Sequence, residues 1–359
     1  MAVHIGFVGG GGIARHHADR LVASDRFSVD AVADIDHDAR ADFADAYDVP
    51  ATYPDHGAMF AAEPALDVVA VTVPNAYHAE CAVAALDHGF DTFVEKPLAA
   101  TLDGAERIAD AASDSEGRAF VGFMLPFDPP LAAVADRAAN GRFGEIYDLS
   151  LTYVRRRGIP GLGGWFTDSD VAGGGVVVDI GPHLVHYALY VLGFPAVETV
   201  SADTGAHFGG PAYTCHEMYG PEGDGAAFDV EDSARAHLRT ADGTTIHLDC
   251  AWASNRPKRK RVEVLGDEAG AVVPIDGGDP TIHGIDGEAF ADTHLTPPDH
   301  DRCLAEWAYV ADVIDDGRTH ARNTVDEGLR VQRVLDAVYR SAEAGTEVEL
   351  DGAGSVGDR

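Results

Sequence analysis

The chain has 359 residues, 46% of them hydrophobic, so it is long enough for two domains and too apolar for a disordered polypeptide. Its 60 acidic and 26 basic residues give a formal net charge of −34, which repels nucleic-acid backbones and anionic lipid headgroups. Lysine occurs only at Lys96, Lys258 and Lys260, and dispersed acid with so little lysine is typical of a salt-rich cytoplasm. We therefore expect a halophilic protein that binds neither nucleic acid nor membranes.

The cysteines and the N-terminal segment predict the compartment. Cys81, Cys215, Cys250 and Cys303 lie far apart without a C-x-x-C pair, which favours a reducing environment over a disulfide framework or a thiolate metal site. No apolar run reaches the ~18 residues that span a bilayer. The first strand leads straight into glycines, unlike a signal peptide. The expected location is the cytoplasm.

The first 123 residues alternate β-branched runs with alanine-rich helical stretches, a pattern that predicts βαβ units and a parallel sheet covered on both faces. The predicted strands are Val3–Val8, Phe27–Ala33, Asp67–Val73, Thr92–Glu95 and Ala119–Phe123. The predicted helices are Ile13–Ala23, Ala39–Tyr47, Ala76–His88 and Leu102–Ser113. Prolines at 126, 129 and 130 mark a break, so the predicted domains are residues 1–123 and 124–359.

The rest of the chain has strand-like runs with alternating polarity, which predict a half-exposed antiparallel sheet. These runs are Ile146–Val154, Ala234–Arg239, Thr244–Trp252 and Arg261–Leu265. Two helices, Leu304–Asp315 and Val325–Ala344, are predicted near the end. Residues 203–228 and 275–300 are predicted to be long loops.

A glycine-rich turn follows the first predicted strand and precedes the first predicted helix. Residues Gly9 to Ala14 fit the pattern G-x-G-x-x-A. In this pattern Gly9 makes the tight turn, Gly11 lets the backbone approach a pyrophosphate, and Ala14 allows close helix–strand packing. Gly12 and Ile13 open the helix whose N-terminus faces the phosphates. The alternative is a purely structural glycine turn.

An acidic residue, Asp34, ends the second predicted strand twenty residues after Ala14. Its carboxylate is placed to accept hydrogen bonds from both ribose hydroxyls of a dinucleotide. Asp34 and Asp36 together would repel a 2′-phosphate. The predicted cofactor is therefore NAD rather than NADP.

Two further turns follow strands of the same predicted sheet and are expected to line the cofactor cleft. The first contains Pro74, Asn75 and His78, although Asn75 could be a helix N-cap and His78 a structural histidine. The second is Glu95-Lys96-Pro97. In a chain that otherwise uses arginine, Lys96 indicates a titratable ammonium or a compact donor; the alternative is a surface lysine paired with Glu95.

A glycine triplet opens the segment from Gly173 to His186, which contains Asp179 and His183. Pro182 favours a helix that begins near His183. Asp179 could be only a helix cap and His183 only a core histidine. His183 and His186 share a helical face, which leaves a metal site as a minor alternative, and the predicted metal is none. The basic run from Arg256 to Arg261 is interpreted as a salt-bridged strand or a subunit contact.

Together, these residues resemble the Gfo/Idh/MocA family of NAD(P)-dependent sugar and polyol dehydrogenases. The motifs E-K-P and G-G-G-x-x-x-D-x-G-x-H carry the resemblance, which covers nearly the whole chain. It implies a Rossmann domain followed by an α+β domain with a large, mostly antiparallel open sheet that forms dimers or tetramers. The chain departs from the family at Pro126, where many members carry arginine, and at His186, where many carry aspartate.

The resemblance also implies an activity, the oxidation of a secondary or anomeric hydroxyl. His183 would act as the general base, Asp179 would orient it, and Lys96 would donate to the reacting oxygen. Trp165 and His186 are candidates for contact with the sugar. Two alternatives are an NAD-dependent glycoside hydrolase and a non-catalytic NAD-binding regulator.

Overall fold

A computed structural model describes residues 2–63, 65–209, 228–275, 277–315 and 317–350. Contacts between Cα atoms divide the chain into two compact units, residues 1–124 with 301–332 and residues 125–300 with 333–359. Residues 301–332 thus group with the first unit, whereas the sequence assigned them to the second domain. The domain limits 1–123 and 124–359 stay a prediction.

The elements of the first part of the chain are β1 Val3–Val8, α1 Gly12–Leu21, β2 Phe27–Ala33, α2 His37–Tyr47, β3 Ala51–Tyr53, α3 His56–Ala62, β4 Val68–Val71, α4 His78–Asp87, β5 Asp91–Val94, α5 Leu102–Asp114 and β6 Ala119–Val121. Those of the middle part are α6 Pro129–Ala139, β7 Ile146–Val154, α7 Ser169–Ala172, α8 Val176–Asp179, α9 Gly181–Leu192, β8 Val197–Gly205, β9 Ser233–Thr240, β10 Thr245–Ala251, β11 Arg259–Gly266, β12 Gly270–Pro274, β13 Thr281–Asp286 and β14 Ala289–His294. The last elements are α10 Arg302–Asp315, α11 Val325–Ala344 and β15 Val348–Glu349.

The sheet of the first unit has six strands in the order β3-β2-β1-β4-β5-β6, and every pair is parallel. All residues of β4 and β5 are buried, as expected for strands covered by helices on both faces. The doubly wound parallel sheet predicted from the sequence is confirmed. The short elements β3 and α3 were not predicted.

Over the residues that the structure describes, the sheet of the second unit has nine strands in the order β14-β13-β12-β11-β7-β10-β9-β8-β15. Among the described residues, β7 and β10 form its one parallel pair and the other pairs are antiparallel. Buried and more exposed residues alternate along β9, which is typical of a sheet with one face on the core. The predicted large, mostly antiparallel sheet is confirmed.

The predicted loop over residues 275–300 is wrong. It contains β13 and β14, which pair as an antiparallel hairpin. Most of their residues are exposed, and Phe290 is 95% exposed, so the alternation that signals a half-buried strand is missing. In the other predicted loop, β8 extends to Gly205, and residues 210–227 lie outside the described residues.

In the part of the chain that the structure describes, no single helix has the length and apolar character to cross a membrane. One pair of segments, Ser169–Asp179 and Gly181–Leu192, meets those criteria only together and is bent by 44°.

A buried carboxyl group in α10 predicts a pH dependence of stability. Glu306 is 1% exposed and accepts a hydrogen bond from Asn323 Nδ2 at 2.8 Å. Burial, with a smaller contribution from Glu95, raises the pKa of Glu306 well above the ordinary value of 4.5. The neutral carboxyl group of Glu306 is the form that the folded state favours. Its contribution to the free energy of unfolding is therefore fully present below pH 4.5, and it is lost as the pH rises through the raised pKa of the folded state.

We expect Glu306→Gln, which keeps an uncharged acceptor for Asn323, to become progressively more stable than the parent protein as the pH rises. Urea unfolding at intervals between pH 5 and pH 8 measures this difference. The exposed Glu80 on α4 supplies the control, Glu80→Gln, which should run parallel to the parent. Parallel curves for Glu306→Gln and the parent would contradict the prediction.

Candidate active site

The glycine loop after β1 combines a glycine that the fold requires with two that leave open space. Gly9 has φ +99°, and a Cβ there would lie 3.0 Å from main-chain atoms of Thr72 and Val73. A Cβ at Gly11 or Gly12 would meet nothing within 4 Å. Gly9 is therefore needed for the turn itself, whereas the space at Gly11 and Gly12 allows close approach of a ligand.

The helix that follows the loop offers its N-terminus to a ligand. α1 begins at Gly12, its cap residue Gly11 makes no side-chain hydrogen bond, and its first turn carries no acidic residue. The N–H groups of a first helical turn have no intrahelical partners and carry partial positive charge. Ala14 is fully buried beneath them, and Ile13 is 36% exposed. This arrangement fits a dinucleotide pyrophosphate.

Asp34 follows β2 directly, and its carboxylate is oriented by main-chain groups. Oδ2 accepts from Gly10 N, and Oδ1 accepts from Asp36 N, each at 2.8 Å. Asp36 caps α2 by accepting from the N–H groups of residues 38 and 39, so its side chain has a structural role as well. Arg40 Nη1 donates to the Asp34 carbonyl at 2.5 Å, which places a cation near the predicted ribose site.

The turn after β4 is connected to the turn after β5 by a buried histidine. His78 is 1% exposed, and its Nδ1 and Nε2 each lie 2.9 Å from a carbonyl oxygen, those of Pro97 and Val73. Burial lowers the pKa of His78, and the two carbonyls oppose that shift. Both ring nitrogens thus contact main-chain carbonyls, as expected if His78 is a structural histidine. The predicted cofactor contact of His78 stays a prediction.

Asn75 is 7% exposed and starts a short 3₁₀ helix, Asn75–Tyr77, whose cap residue is Pro74. The cap residue of α4 is Tyr77. Asn75 thus lies inside this short helix and is the cap residue of neither helix, and the predicted cofactor contacts of Pro74 and Asn75 stay predictions.

Lys96 is half-buried, directly after Glu95 at the end of β5. Glu95 is 4% exposed; its Oε2 accepts from Lys96 N at 2.9 Å, and its Oε1 lies 2.6 Å from His17 Nε2. Glu95 therefore contacts the main chain of Lys96 and a helix of the same unit. The role of Lys96 at the cofactor site stays a prediction.

The glycine loop, the Asn75 turn and Lys96 follow β1, β4 and β5, which are neighbours in the parallel sheet. The carboxyl ends of parallel strands share one edge, where ligands of doubly wound sheets bind. The structure thus brings these predicted site residues to one edge of the first unit.

In the second unit, Asp179 ends α8 and His183 lies in the first turn of α9, with Ile180 between the two helices. Asp179 Oδ2 accepts from Trp252 Nε1 at 2.8 Å and lies 3.7 Å from Arg155 Nη2. The side chains of Asp179 and Arg155 are 13% and 8% exposed. Asp179 is therefore an oriented carboxylate beside a buried cation, and the helix-cap interpretation is wrong.

Two glycines of the triplet before α8, Gly174 and Gly175, are required by close packing. A Cβ at Gly174 would overlap the Tyr339 hydroxyl, and one at Gly175 would overlap the Glu231 carbonyl. The Glu231 carboxylate accepts from Gly175 N and Val177 N at 2.9 Å and from the Tyr339 hydroxyl at 3.0 Å. Burial raises the pKa of Glu231, whereas the main-chain donors and Tyr339 lower it. These contacts anchor the segment that carries Asp179.

The two candidates for contact with substrate have different surroundings. His186 is fully buried, with its ring 6.2 Å from Tyr190 and 5.5 Å from Phe194. Trp165 is half-buried and stacks on Phe166 with ring centroids 3.8 Å apart. The packing of His186 favours a structural role; contact of either residue with substrate stays a prediction.

The sequence did not reveal several groups around the site. Arg155, Trp252 and Glu231 contact the segment of Asp179 from distant positions, and Arg40 contacts Asp34 from six positions along the chain. Their residue types alone gave no signal. Lys96 belongs to the first unit and Asp179 with His183 to the second. Their predicted convergence stays a prediction. Among the described ranges, no group of three or more His, Cys, Asp or Glu residues is arranged to hold a metal ion.

Comparisons with known proteins identify the family of the chain. Residues 3–123 match the family described as "Oxidoreductase family, NAD-binding Rossmann fold", and residues 131–272 match the "GFO/IDH/MocA C-terminal domain". The chain is 31% identical over 354 residues to the D-glucoside 3-dehydrogenase of Escherichia coli (strain K12), which is 97% of each protein.

Two further similarities also extend over almost the whole chain. The chain is 27% identical to D-xylose 1-dehydrogenase (NADP(+)) 2 of Haloferax volcanii, over 96% of this chain and 99% of that protein. The solved structure of GenD2 from gentamicin A biosynthesis, in complex with NAD, is 25% identical with a TM-score of 0.80, over 98% of this chain and 97% of that one. The chain therefore belongs to the Gfo/Idh/MocA family of oxidoreductases with an NAD-binding Rossmann fold.

Proposed function

We propose that this oxidoreductase transfers a hydride between a secondary or anomeric hydroxyl of a sugar or polyol and NAD. The observation that carries the proposal is the Asp179 carboxylate, which Trp252 and Arg155 orient just before His183. The full-length similarity to a D-glucoside 3-dehydrogenase supports a carbohydrate as substrate.

Different residues of the chain have separate roles in this reaction. Main-chain N–H groups at Gly11 and Gly12 would hold the pyrophosphate, and Asp34 would hold the ribose. NAD supplies the hydride acceptor when bound. His183 removes the hydroxyl proton as general base, and Asp179 orients it. Lys96 donates to the reacting oxygen and stabilises the charge that develops there.

A substrate panel tests the proposal. Aldoses, alkyl glycosides, inositols and sugar acids are incubated with NAD in low and in molar KCl, and NADH is followed by its absorbance. We expect net NADH from at least one class. Cleavage of a glycoside without net NADH would instead identify the hydrolase. Tight NAD binding by calorimetry with no turnover in the panel would identify a regulator.

Asp34 is expected to select the cofactor. The unmodified protein should bind NAD at least tenfold tighter than NADP, ~1.4 kcal/mol, because the carboxylate repels a 2′-phosphate. Asp34→Asn should narrow this gap, since it removes the charge and keeps an acceptor for the Gly10 N–H. Arg40, beside the same site, would then favour the phosphate. Calorimetry with both cofactors measures the gap, and equal affinities of the parent protein would contradict the assignment.

The halophilic character is proposed from the net charge of −34 and the three lysines. At low salt, unscreened repulsion should destabilise the fold. We expect the thermal midpoint to rise by at least about 5 °C, roughly 2 kcal/mol, between 0.05 and 2 M KCl. Calorimetric scans measure the midpoint, with NaCl as the check on ion identity. A midpoint that does not change with salt would disprove the halophilic interpretation.

We also propose that the chain forms a homodimer or homotetramer through the nine-stranded sheet. α9 packs against β7 and β10, while the opposite face carries half-exposed polar side chains such as Ser150 and Glu263. Such a polar, open face supports an interface between copies of the chain. Sedimentation velocity measures the assembly.

A cytoplasmic location without nucleic-acid or membrane partners is proposed on the thiols and the charge. Cys81, Cys250 and Cys303 are free and buried, which suits a reducing compartment, and Cys215 lies outside the described residues. The strongly acidic composition disfavours polyanionic partners.

A further inference from the structure

A chain of buried hydrogen bonds leads from α10 through α1 to Lys96. Trp307 Nε1 donates to His17 Nδ1 at 2.9 Å, and His17 Nε2 lies 2.6 Å from Glu95 Oε1. Glu95 Oε2 accepts from Lys96 N at 2.9 Å. We propose that His17 and Trp307 are positioning residues for Lys96, because they hold Glu95 in the orientation that fixes the Lys96 main chain. This inference rests on the proposed function of Lys96.

The order of donors in this chain follows from the chemistry of the indole group. An indole nitrogen can only donate, so His17 Nδ1 must be the acceptor. In the neutral ring the proton is then on Nε2, which donates it to the Glu95 carboxylate. Trp307 thus selects the tautomer of His17 that Glu95 needs. Cys303 Sγ lies 3.3 Å from the same Nδ1; burial raises the pKa of this thiol, so it stays protonated.

The surroundings restrict the three side chains to this arrangement. His17 and Trp307 are fully buried, and Glu95 is 4% exposed. Phe93 stacks on Trp307 with ring centroids 4.6 Å apart and lies 5.5 Å from the His17 ring. A Cβ at Gly122 would lie 3.3 Å from the Glu95 carboxyl group, so a side chain there would crowd it. A partner lost from such a site is not replaced by bulk water, which makes the loss costly.

The same contacts connect the lysine to the cofactor loop. His17 lies on α1, the helix whose N-terminus follows the glycine loop, while Glu95 follows β5 and Trp307 lies on α10. A shift of α1 would therefore be transmitted through His17 and Glu95 to Lys96. The position of α1 would thus affect both the pyrophosphate site and Lys96.

The decisive variant is Trp307→Phe, which keeps the aromatic packing and removes the N–H donor. We expect kcat to fall about tenfold, with KM and the calorimetric Kd for NAD changed less than about twofold. His17→Leu should have a larger effect on kcat. His17→Gln should keep most of the parent kcat, because an amide can accept a hydrogen bond from Trp307 and donate one to Glu95. Phe27→Leu is the packing control, since Phe27 lies 6.3 Å from the Trp307 ring.

Two measurements on the free protein do not depend on turnover. Nitrogen-15 NMR of the imidazole groups should give a proton on Nε2 and none on Nδ1 of His17. Hydrogen exchange at the Lys96 amide should accelerate about tenfold in Trp307→Phe, with global stability close to that of Phe27→Leu. If no sugar is oxidised by the parent, the proposed function fails while these two results still decide the hydrogen-bond chain.

The proposal is overturned by any of three results. One is a proton on His17 Nδ1 in the parent protein. Another is an unchanged Lys96 amide exchange rate in Trp307→Phe. The third is an equal loss of kcat in Trp307→Phe and Phe27→Leu, which would indicate a packing role only. If Trp307→Phe does not fold, the comparison of His17→Gln with His17→Leu decides instead.

Discussion

Replacing Lys96 or His183 with alanine is expected to lower turnover about 100-fold or more, the usual cost of losing a positioned acid–base group. Lys96 lies at the carboxyl edge of the parallel sheet, and His183 follows the oriented Asp179. Steady-state kinetics on the substrate found in the panel measure both variants. Lys258→Ala, which changes an exposed lysine of the second unit, should keep the parent rate.

NAD affinity separates this chemical effect from a loss of the cofactor. The glycine loop and Asp34 belong to the first unit, so His183→Ala should bind NAD with an affinity close to that of the parent. A His183→Ala protein that turns over its substrate at the parent rate would disprove the general-base role. So would a parallel collapse of NAD binding and turnover.

Gly11→Ala is expected to weaken NAD binding about 100-fold, ~2.7 kcal/mol, without a comparable loss of stability. The added Cβ would meet no protein atom within 4 Å, so the fold has room for it. That same space is where a pyrophosphate approaches the backbone. Alanine for glycine at a helix N-cap costs about 1 kcal/mol of stability, less than the expected loss of binding free energy. Calorimetry with NAD and urea unfolding measure the two effects separately.

Alanine substitutions at two other glycines serve as comparisons for Gly11→Ala. Gly57→Ala, in the first turn of α3, adds a Cβ that meets only Asp55 Oδ1 at 3.4 Å, so NAD affinity should stay unchanged and stability should not fall. Gly9→Ala should instead destabilise the fold, because φ is +99° and main-chain atoms of Thr72 lie 3.0 Å from the added carbon. An unchanged NAD affinity in Gly11→Ala would place the pyrophosphate elsewhere.

Local patterns predicted most of the first unit, and the failures have a common cause. The strands β1, β2, β4, β5 and β6 are short apolar runs between turns, and their burial on both faces makes them recognisable. The hairpin of β13 and β14 lacks that signal, since its side chains are mostly exposed. Main-chain hydrogen bonds to β12 make the hairpin part of the sheet, and such bonds do not depend on the polarity of the side chains.

The sequence by itself determined the parallel sheet, the glycine loop and the candidates Lys96, Asp179 and His183, because each lies in a short motif at the end of a predicted element. Only the tertiary structure decided which side chains form hydrogen bonds around these candidates. Trp252 reaches Asp179 across 73 positions, and Trp307 reaches His17 across 290. A hydrogen bond between residues so far apart depends on how elements pack, and packing has no local periodicity to be read along the chain.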